Sequence, residues 1–341
     1  MYHNFPRTEK WFSCSCGSIF NTFGLVVGAH WNCELHYIVN VTESTSADGF
    51  VFVLQYTKSN ISNMPEDTLG ELTEHYEGCR CETESCSPVG CCSCISRFGP
   101  AFDSSGRLLD IVPYTDLLRP VFECHDDCSC GQSCCNRVVQ HGVTIRLQVF
   151  SVGDKGVGVR TLEPIVRGSF VCEYSGEVLS EKSARWRTRN SDPAMHNYVL
   201  AVREFFGAKL LITYVDATYV GNVGRFINHS CEPNLFVQPV RVENAVPRVA
   251  LFALGDIPVY TELTYDYSGG GNATAKNDCN LTSDIGEQSV AKRKPCLCGS
   301  SHCRLILPYD DTLFISWQHN GFVVEIIRIS PHPTSPQKHH T

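Results

Sequence analysis

The chain has 341 residues, 43% of them hydrophobic and 19% charged. That balance excludes a wholly disordered protein and fits one large domain or two to three small ones. The formal net charge of −8 argues against nonspecific nucleic-acid binding through a basic face and suits a basic partner. Twenty cysteines form disulfides in a secreted chain and hold metal in an intracellular one.

Residues 1–54 carry no usable motif. Cys14, Cys16 and Cys33 lack a fourth ligand at useful spacing, and Phe50 to Leu54 has the composition of a short strand. Ile19 to Trp31 is apolar but interrupted by Asn21 and preceded by a polar lead. It is too short for a membrane span and lacks the layout of a signal peptide, so metal is favoured over disulfides. Residues 57–78, with Pro65, Gly70 and Gly78, read as an approach loop.

A cysteine-dense module follows. Its first half is Cys79, Cys81, Cys86, Cys92 and Cys94; its second is Cys124, Cys128, Cys130 and Cys134. Zinc takes about four ligands in a tetrahedron. Nine thiolates therefore serve three zinc ions only where some sulfurs bridge two metals. Cys91 and Cys135 are left over, and the C-x-C spacing selects Cys92 over Cys91.

Short strands are predicted at Leu147–Phe150, Phe170–Val178, Asn197–Arg203, Leu210–Val215, Leu235–Val242, Arg248–Leu254 and Glu262–Tyr267. All are rich in β-branched and aromatic residues and punctuated by Gly, Pro and Asn. Ser180 to Arg189 is the helix candidate, with Ser180 as N-cap. Several motifs sit on this frame. Lys155-Gly156-Val157-Gly158 is a glycine turn that lets backbone approach a ligand closely. Glu173-Tyr174-Ser-Gly-Glu177 and Asn197-Tyr198 place tyrosines at strand positions. Gly224 to Asn234 reads G-R-F-I-N-H-S-C-E-P-N, with more polar groups than a core strand carries and more apolar ones than a surface turn needs. Glu262 to Tyr267 reads E-L-T-Y-D-Y. Cys296, Cys298 and Cys303 are one ligand short of a tetrahedral site, and Cys231 can supply the fourth.

Taken together these segments resemble the SET-domain protein-lysine methyltransferases of the Suv39 type, over roughly residues 55–313. The resemblance implies a mainly β fold with short helices, built of small sheets with a knot-like C-terminal threading and flanked by zinc modules. Its parts would be an N-terminal segment of unassigned role (1–54), a pre-SET zinc-cluster domain (55–141) and the SET catalytic domain (142–268). A connection with the post-SET zinc module (269–313) and a tail with a disordered composition (314–341) would follow. The implied cofactors are S-adenosylmethionine, three zinc ions in the pre-SET cluster and one in the post-SET site. Lys155, Gly156, Val157, Gly158, Tyr198, Arg225, Phe226, Asn228 and His229 would bind S-adenosylmethionine. Tyr267 would be the catalytic tyrosine, Tyr174 would border the site, and Tyr265 would limit how many methyl groups the lysine accepts, favouring mono- or dimethylation.

The family usually has tryptophan where this chain has Val157. If that contact is through backbone, binding survives; if through the ring, affinity falls. The implied substrate is a histone tail, that of histone three, or a nucleosome; the implied location is the nucleus and chromosome. No membrane is involved, and direct DNA binding is not indicated. The alternatives are a weak or inactive zinc-stabilised peptide-binding paralogue, a methyltransferase of a non-histone protein, and a secreted disulfide protein.

Overall fold

The computed structural model describes residues 52–62, 75–86, 92–96, 99–111, 120–191, 197–206, 209–268, 294–308 and 313, with four short strands within 11–39. In chain order the strands are β1 (Trp11–Ser13), β2 (Ile19–Asn21), β3 (Leu25–Val27), β4 (His36–Val39), β5 (Phe52–Tyr56) and β6 (Ile61–Ser62). They continue as β7 (Val121–Phe122), β8 (Leu147–Ser151), β9 (Val157–Thr161), β10 (Phe170–Glu173), β11 (Glu177–Leu179) and β12 (Val199–Phe206). The last are β13 (Lys209–Asp216), β14 (Val220–Gly221), β15 (Asn228–His229), β16 (Leu235–Arg241), β17 (Arg248–Ala253) and β18 (Glu262–Tyr265). Two helices, α1 (Ser93–Ser96) and α2 (Glu181–Asn190), are short. The expected mainly β architecture of small sheets is what the chain adopts.

The sheets run β15-β18-β9-β8-β3, β10-β17-β16-β7, β12-β13-β11-β6, β14-β5-β4 and β1-β2. Between the first two lies the main core, where Leu147, Val159, Val171, Leu251 and Leu263 are fully buried beside Ile227 and Tyr265. A second core joins the cysteine-rich half to the sheets. Phe252 of β17 meets Phe170, Phe236 and Phe102, ring centroids 5.6, 6.1 and 6.2 Å away. Such aromatic clusters contribute about 0.5–1.5 kcal/mol per pair beyond burial. A fully buried fork, Arg241 to Glu204 at 2.9 and 2.8 Å, ties β16 to β12.

The helix starts as its sequence demands. The Ser180 hydroxyl accepts the Ser183 backbone N–H, so the cap satisfies one of the first turn's free donors. One strand expectation is corrected. Phe170–Val178 is two strands, because the backbone changes sheet between Glu173 and Glu177. β10 pairs with β17, whereas β11 pairs with β13. Gly176 makes the switch possible, since a Cβ there would lie 2.3 Å from the Asp216 carbonyl oxygen. Likewise the expected strand Glu262–Tyr267 stops at Tyr265, leaving Asp266 and Tyr267 free to turn into the site. Cys14, Cys16, Cys33, Cys91, residues 269–293 and 314–341 lie outside the described residues.

Candidate active site and metal centres

The stretches Gly224 to Asn234 and Glu262 to Tyr267 meet. β15 and β18 pair in parallel, Asn228 opposite Thr264 and His229 opposite Tyr265. A turn of 3-10 helix, Val223–Phe226, delivers β15 to that position, and the Asn222 side chain caps it by accepting the Gly224 N–H at 3.0 Å. Gly224 is required there: a Cβ would sit 2.6 Å from the Glu173 carbonyl oxygen.

This pairing assembles an aromatic wall. The Tyr265 and Tyr267 rings lie 4.8 Å apart, and the His229 ring is 5.3 Å from Tyr267. The Tyr267 hydroxyl donates to the Ile227 carbonyl at 2.9 Å, and the Tyr174 hydroxyl donates to the Tyr198 carbonyl at 2.6 Å. Arg225 stacks on Tyr198 with its guanidinium carbon 3.9 Å from the ring centroid, and it reaches Phe226 at 5.0 Å. Burial holds all three phenols, Tyr174, Tyr265 and Tyr267, above the ordinary tyrosine value. They are therefore neutral near pH 7 and act as hydrogen-bonding groups rather than bases.

His229 is fixed in one tautomer. Burial pushes its pKa down to about 4, so the ring is neutral. Its Nδ1 accepts the Tyr267 backbone N–H at 3.2 Å, which places the ring proton on Nε2, 3.4 Å from the Cys231 sulfur.

The glycine turn is closed on the wall by Glu262. Its carboxylate takes Lys155 Nζ at 2.5 Å and Asn228 Nδ2 at 3.0 Å. The same Asn228 nitrogen donates to the Val157 carbonyl at 3.1 Å. The Lys155 and Asn228 side chains are thus spent inside the protein, and what they leave to a ligand is backbone. Val157 turns its side chain to the main core. Gly156 has φ +79° and open space where a Cβ would stand, while Gly158 is packed against Val152 and Asn228. The lining suits a bound sulfonium: neutral ring faces attract cations, and the open turn offers unobstructed backbone.

The cysteines converge in two places. Three overlapping sets can each hold a metal: Cys79, Cys94, Cys124 and Cys128; Cys79, Cys86, Cys124 and Cys130; and Cys79, Cys81, Cys86 and Cys92. Cys79 belongs to all three. Its sulfur is 3.7 Å from that of Cys86, and the Cys86–Cys124 and Cys94–Cys128 sulfurs are also 3.7 Å apart. A tetrahedron with Zn–S near 2.3 Å has an edge of about 3.8 Å. A disulfide would need about 2.05 Å, and the cysteines of the described residues are free thiols. Cys134 stands in none of the three sets, although it is buried among them and accepts the Cys86 N–H at 3.3 Å. Cys135 donates instead to the Cys86 carbonyl. The second centre is Cys231, Cys296, Cys298 and Cys303, the distant cysteine and the C-terminal three brought together as expected.

Sequence reasoning assigned no role to three residues near these centres. The buried Arg137 donates from Nη2 to the His125 and Cys130 carbonyls and lies 3.8 Å from the Cys130 sulfur, a positive charge set among thiols. Arg304 reaches the Cys231 sulfur and Asp266. Glu262 is the hub just described. The available signal was adjacency: Arg137 follows Cys134, the last cysteine of the cluster, by three positions, and Arg304 follows Cys303 directly.

Glu173 yields a pH prediction. Its carboxyl is 3% exposed, its Oε1 has no hydrogen-bond partner, and burial raises its pKa from 4.5 to about 7 despite the opposing charge of Arg248. Because the folded value is raised, the stability it confers is complete below pH 4.5 and is lost as pH rises through 7. A shift of that size corresponds to a loss on the order of 3 kcal/mol. Glu173→Gln is expected to unfold at higher urea than the wild type at pH 8.5, with the gap narrowing by more than half at pH 5.5. Equal gaps at both pH values would refute the assignment.

Comparison with known proteins agrees with this geometry. The SET domain family model matches residues 156–268, and the Pre-SET motif model matches residues 29–137. The chain belongs to the SET-domain histone-lysine methyltransferases. Among its relatives is mouse SETMAR, a histone-lysine N-methyltransferase, 42% identical over 269 residues that span 77% of this chain and 83% of the mouse protein. The crystal structure of the human SETMAR methyltransferase domain superposes with a TM-score of 0.61 at 40% identity, covering 75% of this chain and 90% of that domain. KRYPTONITE, solved with DNA, a histone H3 peptide and S-adenosylhomocysteine, gives 0.56 at 30% identity, covering 81% of this chain and 54% of that one.

Proposed function

We propose that this enzyme transfers methyl groups from S-adenosylmethionine to a lysine on the tail of histone three, stopping at the mono- or dimethyl product, on chromatin in the nucleus. The observation that carries the reading is the wall of buried Tyr174 and Tyr265 and half-buried Tyr267, with the Tyr267 hydroxyl on the Ile227 carbonyl. KRYPTONITE, which binds an H3 peptide in its solved complex, supports the choice of substrate. The cofactor-binding set is the Lys155–Gly158 turn with Tyr198, Arg225, Phe226, Asn228 and His229. The zinc content is three ions in the pre-SET cluster and one at Cys231, Cys296, Cys298 and Cys303.

The bound cofactor supplies an electrophilic methyl group. The protein has to present the amine to it. A free lysine has a pKa near 10.4 and is protonated at neutral pH. A narrow aromatic channel desolvates the ammonium and lowers that pKa, and a neighbouring positive charge lowers it further. The proton leaves to water, since the surrounding phenols are neutral. The Tyr267 hydroxyl and the Ile227 carbonyl then align the amine lone pair, so positioning supplies much of the rate. The Tyr265 hydroxyl occupies space that a further methyl group would need. Tyr265→Phe is expected to shift the product toward trimethyl-lysine, read by mass spectrometry of the peptide; an unchanged product ratio would remove Tyr265 from this role.

The test is methyl transfer from labelled S-adenosylmethionine to a core-histone mixture. Label on histone three supports the proposal. Label on another protein overturns the substrate, and cofactor binding without transfer to any protein favours the peptide-binding paralogue.

A further inference from the structure

Arg304 stands between the post-SET metal centre and the catalytic strand. Its backbone N–H and its Nε both donate to the Cys231 sulfur, at 3.3 and 3.5 Å. Its Nη2 donates to Asp266 Oδ2 at 2.8 Å. Asp266 is the residue between Tyr265 and Tyr267, with its side chain 11% exposed. The other carboxylate oxygen accepts the backbone N–H and hydroxyl of Ser268, at 3.0 and 2.8 Å. One guanidinium therefore joins a metal-ligating sulfur to the turn that aims Tyr267.

We propose that Arg304 is a positioning residue of the methyl-transfer reaction, fixing the Tyr265–Tyr267 segment through Asp266 and anchoring it to the post-SET centre through Cys231. This rests on the proposed function. The planar fork matters: Nε faces the sulfur and Nη2 the carboxylate, a span that an ammonium point charge does not reproduce. His229 makes a second connection between Cys231 and the Tyr267 backbone, but from the core side. Losing Arg304 leaves that connection intact, so the fold and the cofactor turn persist while Asp266 and Tyr267 loosen.

The experiment compares wild type with Arg304→Gln, Arg304→Lys, Asp266→Asn and the Gln/Asn double variant. Outer-shell partners of metal ligands typically contribute 10- to 100-fold in metal affinity or activity. Arg304→Gln is expected to lower kcat about 10-fold, with KM for cofactor and for peptide near the wild-type values. Arg304→Lys should recover part of the loss. The double variant should be no slower than the slower single variant, because both changes cut one connection. Metal release to a chromogenic chelator, measured without substrate, should be faster in Arg304→Gln. Wild-type kcat in Arg304→Gln, or multiplied losses in the double variant, would overturn the proposal. If Arg304→Gln misfolds, wild-type kcat in Asp266→Asn overturns it equally. Absence of methyl transfer in the wild type defeats the function instead, and the metal-release comparison still reads the Arg304–Cys231 contact.

Discussion

Tyr267→Phe is expected to abolish detectable turnover, lowering kcat by about 100-fold or more, the scale on which misplacing a reacting group costs rate. The ring remains, so packing against Tyr265 and His229 is kept. What goes is the hydroxyl that donates to the Ile227 carbonyl. An unpaired buried carbonyl costs about 1–3 kcal/mol, which a folded domain tolerates. Thermal melting should show a small shift and cofactor titration little change, while single-turnover methyl transfer collapses. Turnover within a few-fold of wild type would remove Tyr267 from the centre of the mechanism.

The second large effect concerns folding. Cys79→Ser is expected to unfold the cysteine-rich half of the protein and leave it depleted of metal. Cys79 is fully buried and common to all three overlapping sets, so one substitution weakens each of them. Structural zinc sites contribute about 10–16 kcal/mol of binding free energy that is also folding free energy. Apolar burial cannot replace it, because the interior there is largely the cysteines themselves. Elemental analysis of purified protein and circular dichroism would check this. A variant with wild-type metal content and a native spectrum would show that Cys79 is not a shared ligand. Cys135→Ser, outside the sets, should change neither.

Much of this was legible because spacing carries chemistry. The C-x-C pairs and the solitary Cys231 led to the sets that converge, and the serine before the helix led to its cap. Other parts were hidden for physical reasons. The switch of sheets after Glu173 depends on which strand lies alongside, and a continuous run of strand-forming residues from Phe170 to Val178 does not reveal it. Lys155 sits in a motif expected to bind a ligand, yet its charge is taken by Glu262, 107 residues later. The described strands β3, β4 and β5 contribute through backbone pairing, β3 on β8 and β5 on β4 and β14, and no motif marks them. Composition marks the Phe50 to Leu54 segment as strand, but not which strands it will pair with.

The two-residue strand β15 has a bearing on biosynthesis. It is an edge strand whose ladder partner is β18, and that partner emerges from the ribosome more than thirty residues later. The sulfurs that complete Cys231's set are translated later again, at 296, 298 and 303. Long-range pairings of this kind close slowly, after local structure has formed. A nascent chain thus carries its cysteine cluster and most of its sheets before β18 and the partners of Cys231 have been made.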